Sequence, residues 1–110
     1  MNRILFVTGV LAVAGPGVLA ATDGPGNPAY GRRLADTLCS ECHIVAPDQE
    51  RRGRQTAPNL TERVRNPAIT ELALRSYLQT THPVMPNIML SQEQADDIIA
   101  YLLTFKRGAR

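Results

Sequence analysis

Apolar positions recur along this chain at helical rather than strand spacing. The clearest stretch is C-terminal, where Ala95, Ile98, Ile99, Leu102 and Leu103 form one stripe that extends towards Phe105. Ser91 stands where an N-cap belongs, and Gln94 completes a capping-box pattern. Lys106 and Arg107 fall at the far end, where positive charge suits the helix dipole. Upstream, Leu34 and Leu38 share one face and Pro28 suits an early helical position, which predicts a helix from about Ala29 to Ser40. Thr70 is the expected cap of a helix reaching about Gln79, with Leu74, Tyr77 and Leu78 along one side. A short helix is predicted to begin near Thr61. The run His82-Pro83-Val84-Met85-Pro86 is irregular, because two prolines break any helix there. Residues 44–58 carry Pro47, Gly53 and Pro58 among charges and read as a long loop, a feature that in a compact domain is usually functional or wraps something. With no alternating pattern and no internal repeat, the expected class is all-α.

The first twenty positions differ in character from the rest. Arg3 precedes an apolar run from Ile4 to Ala14, a Gly15-Pro16-Gly17 break, and small residues around Val18, Leu19 and Ala20. This is the three-part pattern of a secretory signal peptide, cleaved after Ala20 or Ala21. Its apolar core is too short to span a bilayer, which takes about 20 residues, so an uncleaved anchor is the weaker reading and no stable membrane insertion is expected after cleavage. The expected organisation is a signal peptide over 1–20, a flexible leader over 21–28 and one small domain over 29–107, exported to the periplasm.

Composition changes the picture in one respect. The 110 residues include no Trp, three Tyr and two Phe, and Phe6 would leave with the signal. A small domain so poor in large side chains gains from a buried cofactor at its centre. The formal net charge is +2, with no basic stripe interleaved with aromatics, so nucleic-acid binding has no support. Arg51, Arg52 and Arg54 form a local basic cluster beside Asp48 and Glu50, which reads as a solvated loop.

Both cysteines of the chain occur in Cys39-Ser40-Glu41-Cys42-His43. Cys-x-x-Cys-His is the c-type haem attachment signal. At a helix end, positions three apart fall on one side, so both sulfurs can form thioethers along one porphyrin edge. The adjacent imidazole of His43 is then held beside the iron as an axial ligand. A thioredoxin-like dithiol would need a βαβ context that is absent, and a zinc site would need a second ligand pair. A disulfide closing so short a loop would constrain little. The second axial ligand has three candidates, His82, Met85 and Met89. Met ligation raises the potential relative to a second His. Met85 is favoured because Pro86 stiffens its irregular segment, Met89 is the runner-up, and His82 comes last, since a His beside Pro is usually a surface or packing residue.

On these residues the chain resembles the small monohaem class I cytochromes c of bacterial periplasmic type. The resemblance spans most of the mature chain. It includes Gly31 ahead of Cys39-Ser40-Glu41-Cys42-His43, Ala57-Pro58-Asn59-Leu60, Met85-Pro86 and the helix ending Ile98-Ile99-Ala100-Tyr101-Leu102-Leu103. It implies three to five helices around one covalently bound haem c per chain. The first and last helices are then expected to cross near Gly31 and Tyr101, and the Pro58 carbonyl to accept a hydrogen bond from the His43 ring. The Met-Pro spacing to Tyr101 also matches the family's axial Met. The implied function is electron carriage between periplasmic redox partners such as a dehydrogenase, an oxidase or a bc1-type reductase, without enzymatic activity of its own. A dedicated subunit of a dehydrogenase or oxidase and a ligand-binding sensor haem are the alternatives. Lys106 is the sole lysine, so a lysine-ringed docking face is not implied.

Overall fold

A computed structural model describes residues 25–50 and 57–108. The expected signal peptide, the first part of the expected leader and the Arg51–Arg54 cluster lie outside the described residues. Among those described, the regular structure is helical: α1 Pro28–Leu38, α2 Leu60–Arg63, α3 Glu71–Gln79 and α4 Gln92–Arg107.

Each helix starts at a side-chain cap. Asn27 Oδ1 accepts from the Ala29 and Tyr30 amides at 2.9 and 3.3 Å, and Pro28 follows with its φ already set for the first turn. Asn59 caps α2 in the same way, accepting from Thr61 N at 3.0 Å. Thr70 Oγ1 accepts from Ala73 N at 3.1 Å to open α3. At α4 the expected capping box is complete, with Gln94 N donating to Ser91 Oγ at 3.1 Å and Ser91 N donating to Gln94 Oε1 at 2.9 Å.

Helix α1 stops at Leu38, two residues short of the predicted end. The Ser40 hydroxyl donates to the Asp36 carbonyl, the group its own amide would reach in a continued helix, and that amide turns to Ala35 O instead. The inward face of α1 also differs from the apolar pattern. Gly31 and Ala35 are its buried residues, while Leu34 and Leu38 are half-buried at the margin.

The reason is the crossing of α1 with α4, the main helix contact of the fold. A Cβ placed on Gly31 would lie 1.8 Å from the Asp97 carbonyl oxygen and 2.9 Å from Tyr101 Cβ. Only glycine lets the two backbones meet so closely. Ala95, Ile98, Ile99, Tyr101 and Leu102 are buried along α4, with Leu103 half-buried. Val45, Val64 and Leu74 complete the core from the loop after α1, the end of α2, and α3.

The end of the expected leader takes part in this packing. Gly26 has φ +113°, and the Asn27 amide donates to Asp97 Oδ1 at 2.6 Å. On the far side, Arg75 of α3 pairs with Asp96 of α4 at 2.6 Å. Lys106, near the end of α4, donates to the carbonyls of Ile69 at 2.8 Å and Pro67 at 3.2 Å, which ties the α2–α3 connection to the last helix.

Candidate functional site

The segment Cys39–His43 begins where α1 ends. The amides of Cys42 and His43 both donate to the Cys39 carbonyl, at 3.2 and 2.9 Å, so the chain curls around that oxygen. Cys39 is half-buried and Cys42 exposed. Burial pushes the Cys39 thiol above its ordinary pKa, because a thiolate there would lose solvation.

The backbone beyond His43 is pinned from several directions. Leu60 N donates to Ile44 O at 2.9 Å. The Tyr101 hydroxyl donates to the Val45 carbonyl at 2.8 Å, so the residue at the helix crossing also holds the strand of loop behind the motif. Gln49 closes the arrangement. Its Nε2 donates to His43 O at 3.0 Å and to Ser40 O at 3.2 Å, and its Oε1 accepts from Val45 N at 2.7 Å.

The His43 ring lies with Nδ1 2.7 Å from the Pro58 carbonyl oxygen. A carbonyl only accepts, so Nδ1 carries the proton. The neutral ring then keeps its lone pair on Nε2, the nitrogen left to coordinate a metal.

A cleft opens beside Cys39, with walls formed by Leu38, Leu78, Met85, Ile88 and Leu90. Tyr77 and His82 also line it, their rings stacked at 5.2 Å between centroids. Cys42 and His43 stand on the turn that follows Cys39. Met85 is half-buried in the cleft wall, whereas Met89 is 85% exposed and outside it. Val84, between His82 and Met85, has φ +77°, a conformation that a β-branched residue rarely adopts. The structure thus gathers Cys39, His82 and Met85 at one cleft, while His43, on the turn that follows Cys39, pairs with Pro58 and neither of the two lines the cleft. A largely apolar cleft lined by both the Cys39 thiol and the Met85 thioether suits a flat, apolar, metal-bearing macrocycle, so the residues present fit haem.

The Cytochrome c family matches residues 28–106 of the sequence. The chain belongs to the cytochrome c family. It is 34% identical over 93 residues to Cytochrome c-552 of Bradyrhizobium diazoefficiens, a match covering 84% of this chain and 86% of that protein. No solved structure matches significantly. Membership in the cytochrome c family makes this an electron-transfer protein whose cofactor is haem c, attached covalently through Cys-x-x-Cys-His. The crossing of the first and last helices at Gly31 accords with the cytochrome c fold. Among the described residues, no helix is long and apolar enough to cross a membrane.

Sequence reasoning missed Asn27 and Gln49. Asn27 directly before Pro28 was a readable cap signal. Gln49 carried no local signal, since its three partners lie four to nine residues back in an irregular segment.

Proposed function

We propose that this cytochrome c family member is a periplasmic electron carrier with His43 and Met85 as its axial iron ligands. Cys39 and Cys42 anchor the porphyrin edge as thioethers, and the Pro58 carbonyl fixes the tautomer and rotation of the His43 ring. When bound, haem supplies one-electron cycling of its iron. The chain's part is to exclude water with the apolar cleft walls, to present Nε2 of His43, and to bring Met85 from the opposite segment. With His43 and Met85 both holding the iron, the bound haem would offer a substrate no free position on the metal. The redox partners are exported proteins, in keeping with the signal-like residues 1–20.

The observation that carries the reading is that Met85 and Cys39 line one cleft, with Met89 outside it. The test is the ferric absorption spectrum of the matured holoprotein. The Met-to-iron charge-transfer band is expected in the wild type and in Met89→Ala, and is expected to vanish in Met85→Ala with covalent haem retained. Loss of the band in Met89→Ala, with Met85→Ala unaffected, would overturn the assignment.

A further inference from the structure

His43 is held by more than its ring. Its amide is bonded to Cys39 O, its ring to Pro58 O, and its carbonyl to the side chain of Gln49. The Gln49 carboxamide uses both of its N–H groups and its oxygen on a single stretch of backbone. The donors go to Ser40 O, inside the Cys-x-x-Cys-His motif, and to His43 O; the oxygen goes to Val45 N on the far side. Val45 is fully buried and its carbonyl is held by Tyr101. Gln49 is therefore the link between the curled motif and the core formed by α4.

Both ends of the amide are required by these partners. A carboxylate of the same shape has no donor for the two carbonyls, and an apolar side chain of the same length leaves the Val45 N–H buried without a partner. The turn that carries Gln49 is itself closed, with Gln49 N donating to Ala46 O at 3.2 Å, so the side chain starts from a fixed point.

We infer that Gln49 is a positioning residue for the proximal ligand: its side-chain amide clamps the main chain from Ser40 to Val45 and thereby holds the His43 ring in register with Pro58. This rests on His43 being the iron ligand. The consequence reaches the iron through the ring. A His whose Nδ1–H is firmly bonded to a carbonyl is a stronger donor through Nε2. A stronger donor favours the ferric state. Loosening the clamp weakens that bond and raises the reduction potential.

The test uses the matured holoprotein and its Gln49→Met variant, which keeps the length of the side chain and removes its hydrogen bonds. The variant is expected to keep covalent haem and its axial Met band, to show an upward shift of reduction potential, and to show altered hyperfine-shifted ring resonances of His43. Amide exchange at Val45 is expected to be slow in the wild type and about fivefold faster in the variant, the factor that loss of a hydrogen bond of ordinary strength implies. An unchanged potential and unchanged His43 resonances would overturn the inference, even if the variant unfolds at lower temperature. If Gln49→Met does not mature, Val45 exchange in the wild type decides, and a rate typical of an exposed loop amide overturns it. His43→Ala separates this from the ligand reading: retention of the wild-type low-spin ferric spectrum there would remove the ligand itself, whatever Gln49 does.

Discussion

Replacing Gly31 by alanine tests the helix crossing on which the fold depends. The new Cβ would sit 1.8 Å from the Asp97 carbonyl oxygen, against a limit of 3.0 Å that real Cβ atoms essentially never breach. The helices must separate by roughly 1 Å, a gap that on its own forfeits a quarter to a half of the dispersion attraction across the seam. Neither party can yield by rotating, because a Cβ and a backbone carbonyl have no torsion of their own. Overpacking of this kind costs about 1–3 kcal/mol, and a clash with backbone belongs at the upper end. Alanine in a helix recovers about 1 kcal/mol relative to glycine. The net loss is about 2 kcal/mol, or roughly 8–16 °C in Tm for a domain of this size. The assay is thermal and urea unfolding of the ferric holoproteins, followed by far-ultraviolet circular dichroism, with the m-value expected to stay constant. A variant as stable as the wild type, or more so, would refute the reasoning. It would mean that helix propensity decides at residue 31 and that the backbones do not meet there.

Two further outcomes follow from hydrogen bonds to α4. Burial, the largest cause, raises the pKa of Tyr101 above the ordinary phenol value of 10.0. Below about pH 10 both folded and unfolded chains hold this proton; above it the unfolded chain loses the proton first, so stability falls as pH rises through the folded value. Tyr101→Phe is therefore expected to be less stable by about 1–2 kcal/mol below pH 10, from the unpaired Val45 carbonyl, and the deficit is expected to shrink at higher pH; a deficit that grows with pH in urea titrations contradicts this. Lys106→Met removes the donor shared by Ile69 and Pro67 while keeping the apolar stem, and is expected to cost about 1 kcal/mol with faster amide exchange around residues 66–70 and no change in the ferric spectrum. A spectral change in that variant would show that the clamp reaches the haem cleft.

What could be read from the sequence was what is written locally. Ser91 with Gln94, Thr70, and the α4 stripe are patterns within a few residues, and each forms as expected. The haem motif is equally local, since covalent attachment demands a fixed spacing. The contact face of α1 was not legible from periodicity, because leucines announce a buried side and glycine and alanine do not; Gly31 was expected at the crossing only through the family resemblance. Leu34 and Leu38 drew the eye to a margin, while Gly31 and Ala35 are the contact. The Pro58–His43 bond was anticipated only through family resemblance, because the partners stand fifteen positions apart in sequence. Lys106 read as a complement to the helix dipole. That its ammonium reaches carbonyls more than thirty-five positions earlier depends on how α4 lies across the α2–α3 connection, which no local pattern encodes. Gln49 belongs to the same group, its role set by the curl of the motif rather than by its neighbours in sequence.

The seam at Gly31 also sets how the chain must close on itself. Its partners, Asp97 and Tyr101, come far along the sequence, so the two backbones meet only after a long loop has been brought together. Until the last helix docks, the glycine face of α1 has nothing to pack against. Assembly is therefore governed by a non-local encounter, which is slow compared with forming either helix alone.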